Sequence, residues 1–395
     1  MVHPELRHGW PVILACFFVA VHAWTYGFYG LSAYVAAFQL ERGWSSTLTA
    51  GATSAFYLLG AVLLARAPML VQRLGPRAVL LGGCSALSLG GIIAANAQAP
   101  WHLVAGFLVL GAGWACTSVA ALSTVIGLWF DVRRGLAMSL ALNGASVAGF
   151  TLAPALVFLA DRHGIAWAGT TIALAMLALV IPLVLVGLAR PQHAFVAAPA
   201  VASETDLTSQ RAALRSPRFW WIAAPFGLVI MAQVGLVVHL VSILMPTLGA
   251  DGAGVALGIV AICAVVGRLA LGAVVDRVDQ RRAGAAGVAV QMVGMALLLA
   301  FPAQVWALYL ACVLFGLTVG NNITLPPLLL QRAFTRGSFG LVVGLYSALA
   351  QIAYAATPGG FGALHDFTGG YPAVIAAAMA MQGVGALLML GGGKR

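Results

Sequence analysis

The sequence predicts an all-α polytopic membrane protein, with twelve transmembrane helices in two pseudo-symmetric six-helix bundles. Three observations predict it. Hydrophobic residues make up 62% of the 395 and charged residues only 8%, a balance that no ordinary water-soluble domain of this length has. Apolar stretches recur about twelve times, each near the roughly 20 residues needed to cross a hydrocarbon core. One polar segment, "RPQHAFVAAPAVASETDLTSQRAALRSPR" at 190–218, divides them six and six.

In chain order the stretches run roughly 11–38, 48–70, 77–97, 102–130, 134–160, 166–189, 217–247, 251–275, 283–301, 304–331, 338–363 and 371–392. Backbone groups in lipid have no water to bond, so runs of this length are helices. Pro154, Pro182, Pro225, Pro246 and Pro358 are expected to kink them, and Pro326-Pro327 to kink or unwind the tenth. The first run is too long for a signal peptide and has no small-residue cleavage site, so no cleavable leader is expected. The expected organisation is an N-terminal bundle over 1–189, a cytoplasmic linker over 190–216 and a C-terminal bundle over 217–395.

The halves echo each other at an offset of roughly 200 residues. Arg73-Leu74-Gly75-Pro76-Arg77 after the second helix answers Asp276-Arg277 and Arg281-Arg282 after the eighth, and Arg133-Arg134-Gly135 answers Arg336-Gly337. Weak internal symmetry of this kind predicts two bundles that rock about a shared site.

The net charge of +10 is topological. Basic residues fall at Arg7, at Arg66, Arg73 and Arg77, at Arg133 and Arg134, and at Arg190, Arg211, Arg215 and Arg218. They continue at Arg277, Arg281, Arg282, Arg332 and Arg336 and end at Lys394 and Arg395. The alternate loops hold only Arg42 and Arg162, so both termini are expected to be cytoplasmic, and no nucleic-acid partner is implied. Cys16, Cys84, Cys116, Cys263 and Cys312 all fall within helices, with no CxxC pair, and read as packing residues, with no metal or cofactor expected. No HExxH, G-x-S-x-G or intramembrane aspartate pair is present, so no enzyme is expected.

Twelve helices in a 6+6 arrangement, with G-x-x-x-D-R-type loops after the second and eighth, resemble the major facilitator superfamily over essentially the whole chain. Narrower features resemble its monocarboxylate porter and oxalate/formate antiporter branch. These are Gly9-Trp10, Glu41-Arg42-Gly43-Trp44-Ser45, "WFDVRRGLAMSLALNGASVAG", "GRLALGAVVDR" and "PGGFGALHDFTGGY". The resemblance implies a secondary transporter in a cytoplasmic membrane, the bacterial inner membrane, working as a monomer. It also implies a cytoplasmic gate built from Arg73, Arg77, Asp276, Arg277 and Arg281. The chain departs from the pattern at Gln72, where an aspartate would latch that gate, and at Gly149-Phe150, where drug antiporters carry Gly-Pro.

All ten acidic residues fall in loops or at helix ends, so no carboxylate is expected in the hydrocarbon core. Arg268, in "AICAVVGRLALGAVVD", is the one basic residue placed deep in a helix, roughly 11 Å from its cytoplasmic end at about 1.5 Å per residue. A charge there is costly unless it faces a wet cavity or a partner. Its planar donor fork matches a carboxylate, so the residue reads as a site for a small organic anion. In the resembled family the arginine of this G-R-x-x-x-G helix is the substrate-carboxylate ligand, and Gly267-Arg268-x-x-x-Gly272 matches it. Ala264 stands where some members carry an aspartate, which removes one proton carrier. The other reading of Arg268 is a brace that snorkels towards Asp276.

His22 and His239 are the histidines well inside helices, and either could carry a coupling proton or be a neutral, hydrogen-bonded packing residue. His239 is preferred because its helix belongs to the half that carries Arg268. Tyr26, Tyr29, Asn143, Asn321, Asn322, Tyr346 and Gln351 complete the expected pocket lining. Two functions follow as expectations. One is transport of a small organic anion, most simply a monocarboxylate, by proton symport or anion exchange. The alternative is efflux of a neutral or amphipathic compound with Arg268 structural.

Overall fold

The computed structural model describes residues 4–64, 66–130, 132–189, 212–274, 277–334 and 339–391. Among them every regular element is a helix. The first crossing is built from α1 (Pro4–Trp24), a π turn (Thr25–Tyr29) and α2 (Leu31–Arg42). The second is α3 (Ser46–Leu64), followed by the short α4 (Ala67–Leu74), which Pro68 opens. The third is α5 (Pro76–Ala95), and the fourth is broken into α6 (Pro100–Thr117) and α7 (Val119–Gly127). The fifth is broken into α8 (Arg134–Phe150) and α9 (Leu152–His163), and the sixth is α10 (Ile165–Gly187).

After the linker, α11 (Pro217–Val274) holds the seventh and eighth crossings in one helical run. They part at Gly249, where φ is +67° and ψ −179°. That backbone region is open in practice only to glycine, and nothing lies within 4 Å of where a Cβ would stand, so backbone conformation rather than space demands the residue. Then come α12 (Gln280–Ala300), α13 (Val305–Ala333), α14 (Phe339–Ala355), α15 (Thr357–Thr368) and α16 (Tyr371–Gly391). Each of the twelve expected stretches is thus met by helix. Residues 190–211 of the expected linker, and Asp276 of the expected gate, lie outside the described residues.

The breaks differ in part from those expected. α13 stays helical through Pro326 and Pro327, so the tenth crossing is not unwound there. Pro182, Pro225 and Pro246 lie within helical runs, Pro246 three residues before the break at Gly249. Interruptions fall instead at Ser118, at Thr151 and at Ala356, the last two a few residues before Pro154 and Pro358. A proline removes its own N–H and crowds the carbonyl four residues back, so its effect lands upstream of itself. Ser118 has no proline to explain it. Its extended backbone (ψ 167°) restarts the helix, and its hydroxyl caps the new end by accepting from the Ala121 N–H at 3.3 Å.

The chain forms two compact units, residues 1–44 with 52–199 and residues 45–51 with 200–395. In the first, α1 packs on α8 and α10, and α5 on α6 and α10. In the second, α11 packs on α13 and α16, and α12 on the same two helices.

Carboxylates at helix ends tie each unit. In the first, Glu41 Oε1 accepts from the Ile165 N–H at 2.8 Å, capping α10. In the second, Asp366 on α15 accepts from the Ser46 N–H at 3.1 Å, the Thr47 N–H at 2.7 Å and the Thr47 hydroxyl at 2.5 Å, capping α3 from another helix. Partial burial alone would raise the pKa of Asp366, but the bonds from Thr47, His365 and Ser46 outweigh it and hold the carboxyl down at about 2. A carboxylate depressed on folding stabilises above its ordinary range and loses that contribution as pH falls through the folded value. Asp366→Ala is therefore expected to cost about 1 kcal/mol of stability. In thermal unfolding the gap from wild type should be full above about pH 5 and close as pH falls towards about 2; a gap that does not vary over that range would contradict the charged cap.

Candidate functional site

The second unit carries Arg268, His239, Asn321, Asn322, Tyr346 and Gln351. Arg268 lies on the second limb of α11, half-buried, and its aliphatic stem crosses α13 at Gly320. The helices approach closely enough for this because Gly267 packs directly against the Leu317 carbonyl.

Asn322, one helical position beyond Asn321, is held in a network of four buried amides. Its Nδ2 donates to Gln233 Oε1 at 2.9 Å on α11 and to Gln291 Oε1 at 3.4 Å on α12. Gln382 Nε2 on α16 donates to the same Gln291 oxygen at 2.7 Å, and Gln233 Nε2 to the Val319 carbonyl at 3.3 Å. The network joins α11, α12, α13 and α16, which sets the register of α13 and hence of the residues flanking Asn322. Gln291 and Gln382 escaped the reading of the sequence. The signal was there, since a glutamine within an otherwise apolar span needs a partner.

Asn321 Nδ2 donates to the Leu317 carbonyl at 3.2 Å, while its Oδ1 is buried with no partner among the described residues. On α14, Gln351 Oε1 accepts from the Tyr354 hydroxyl at 3.2 Å, and the Tyr346 hydroxyl and Gln351 Nε2 are buried without a partner among the described residues. Buried polar atoms are costly to leave unbonded, so these three mark places where a ligand or water finds a bonding group.

The histidines occupy matching chemical states in the two units. His239 Nε2 lies 3.1 Å from the Pro358 carbonyl, which only accepts, so Nε2 carries the proton. His22 Nε2 lies 3.2 Å from Ser88 Oγ, whose own proton goes to the Ala173 carbonyl at 3.0 Å, so the imidazole again donates from Nε2. In both rings Nδ1 is buried with no partner among the described residues, which leaves an open lone pair. His239 also lies near Tyr371, with ring centroids 5.6 Å apart, and Tyr371 near His365 at 4.3 Å.

In the first unit the expected residues are Tyr26, Tyr29 and Asn143. Tyr26 and Tyr29 both lie on the π turn, whose Thr25 carbonyl accepts from Gly30 N–H at 2.9 Å. A π turn leaves carbonyls misaligned, and Tyr57 on α3 answers one by donating to the Gly27 carbonyl at 3.0 Å. Trp114 of α6 packs its ring on the same Gly27 and makes edge contact with Trp24 at 5.0 Å. Tyr26 Oη and Trp114 Nε1 are buried without partners among the described residues. Tyr29 is buried beside Phe28, and Asn143 is exposed on α8.

Of the expected gate, Arg77 donates to the Leu185 carbonyl at 3.0 Å, in the last turn of α10, where a cation also suits the helix dipole. Arg73 and Arg277 are exposed and Arg281 half-buried. Asp279, which the sequence reading left without a role, caps α12 by accepting from the Arg281 and Arg282 N–H groups, each at 2.9 Å.

The described residues form an all-helical membrane chain with buried polar groups distributed through both units. The sequence profile of the Major Facilitator Superfamily matches residues 13–358, and the chain belongs to that family. It is 29% identical to Monocarboxylate transporter 13 of Rattus norvegicus over 99% of this chain and 91% of that one. It is 35% identical to Monocarboxylate transporter 11 of Mus musculus, over 43% of this chain and only 38% of that protein. The crystal structure of the nucleoside transporter NupG superposes with a TM-score of 0.80, covering 96% of this chain and 98% of that one at 11% identity. At that identity the likeness speaks for the fold alone.

Proposed function

We propose that this transporter carries a small organic anion, most simply a monocarboxylate, by alternating access, with the substrate carboxylate paired to Arg268. The observation that carries the reading is Arg268 itself, a half-buried arginine inside an apolar membrane helix, with its stem lying against Gly320. A planar donor fork in a low-dielectric setting strongly favours a carboxylate counter-ion. The similarity to monocarboxylate transporters over nearly the whole chain supports the same substrate class. Asn321, Tyr346 and Gln351 offer unbonded polar atoms in the unit that carries Arg268 and are assigned to orienting the rest of the substrate. The protein is assigned both termini in the cytoplasm, from the distribution of its arginines, and a monomeric working state.

The experiment is uptake of radiolabelled pyruvate and L-lactate by proteoliposomes, with oxalate and formate as competitors. Saturable uptake blocked by other small carboxylates is the expected result; uptake indifferent to all of them would sink the anion reading.

His239 is assigned the coupling proton, because its Nδ1 is a buried acceptor with no partner among the described residues. His239→Gln is expected to lose acceleration by an inward proton gradient, by about ten-fold, while counterflow exchange continues. Equal loss of both modes would assign His239 a packing role.

A further inference from the structure

We propose that Gly320 is the positioning residue for Arg268, a notch in α13 that fixes the direction in which the guanidinium reaches. The inference rests on the reading of Arg268 as the anion ligand and concerns how that ligand is aimed. A Cβ built on Gly320 would stand 2.5 Å from Arg268 Cγ, 2.7 Å from its Cδ and 2.9 Å from the Ala264 carbonyl oxygen. The arginine stem therefore occupies the space that any side chain at 320 would fill. One turn earlier on the same helix, Gly316 has a different neighbourhood: its Cβ would meet the Val260 carbonyl at 2.7 Å and Cys263 Cβ at 2.8 Å. Gly316 thus serves the approach of two helices, whereas Gly320 accommodates a functional side chain as well.

The notch has a fixed position. Two residues on, Asn322 is bonded to Gln233 of α11, so α13 does not slide along α11 without breaking that amide contact. Gly267, the neighbour of Arg268, is pressed against the Leu317 carbonyl, which fixes the other side of the crossing. A free arginine side chain carries a large rotamer entropy, which is lost when it is held in one geometry. Confining its stem in a groove removes that cost from the binding step and leaves the guanidinium on a short arm. A misplacement of about 1 Å at a reacting or binding group costs on the order of 100-fold.

The test compares Gly320→Ala with Gly316→Ala in the full-length protein. Phenylglyoxal labelling, read at Arg268 by peptide mass spectrometry, reports the freedom of the guanidinium without a substrate. Gly320→Ala is expected to speed labelling at Arg268 several-fold and Gly316→Ala to leave it as in wild type. In pyruvate uptake, Gly320→Ala is expected to raise KM by about ten-fold with a smaller change in maximal rate, and to add nothing in an Arg268→Ala background. Unchanged labelling in Gly320→Ala, the same change in Gly316→Ala, or additive effects with Arg268→Ala overturns the proposal. Should Gly320→Ala fail to fold, guanidinium 15N relaxation in the wild type decides it: an Arg268 Nε–H as mobile as that of the exposed Arg277 would refute the clamp. Normal transport by Arg268→Ala would instead fell the anion reading, while labelling and relaxation would still report whether Gly320 holds the stem.

Discussion

Arg268→Ala is expected to reduce carboxylate uptake about 100-fold or more while the protein remains folded. The magnitude follows from the bonds lost: two parallel charge-assisted hydrogen bonds together contribute about 3 kcal/mol, and each 1.4 kcal/mol is ten-fold. Folding should survive because an alanine removes a side chain whose burial in a membrane helix is costly in itself. Arg268→Lys is the sharper variant. It keeps the charge and most of the stem that crosses Gly320 but replaces the planar fork with a point charge, so it is expected to lose about ten-fold in affinity. Uptake is measured in proteoliposomes, and folding by size-exclusion profile and thermal unfolding. A folded Arg268→Ala protein with wild-type uptake would return Arg268 to a structural role.

The second large effect is on stability. Gln291 Oε1 takes bonds from Gln382 at 2.7 Å and Asn322 at 3.4 Å, while Gln291 Nε2 reaches Gln233 Oε1 at 3.5 Å. Gln291→Leu has a similar volume but strands the Gln382 amide N–H inside an apolar bundle. Leaving a buried donor unbonded costs about 1–3 kcal/mol, and within a membrane the lower part of that range applies because the unfolded chain in lipid also finds partners. A loss of about 1.5 kcal/mol is therefore expected in reversible unfolding in mixed micelles. Adding Gln382→Leu should return part of it, because the stranded donor is then gone and two apolar groups pack in its place. Strictly additive losses would mean that the 2.7 Å bond contributes nothing.

Much of the fold was legible in the sequence because lipid leaves a chain few choices. A run of apolar residues long enough to cross is a helix whatever surrounds it, and the arginine-rich loops recur in alternation. The interruptions were less legible. Pro154 and Pro358 pointed to breaks that fall a few residues upstream, the helix is not unwound at Pro326-Pro327, and Ser118 and the π turn at Thr25–Tyr29 had no unambiguous sign. A lone proline in a membrane helix is often accommodated by its neighbours, so whether it breaks the helix depends on what packs there.

The candidate site divides in the same way. Arg268, His239 and His22 could be chosen by composition alone, because ionisable groups are rare in apolar helices and each is a functional candidate on that ground. What each polar group bonds to could not be chosen so. Asn321 and Asn322 are adjacent and chemically identical, yet one has an unbonded oxygen and the other is tied into the core amides. A helix turns about 100° per residue, so neighbours in sequence face different helices. The sequence by itself determined that this protein is a bundle of membrane helices with one arginine deep inside an apolar run. Only the tertiary structure decided that the cation's stem lies in a groove at Gly320, because that depends on the crossing of α11 with α13, set by backbone contacts and an amide network between residues 31 to 91 positions apart.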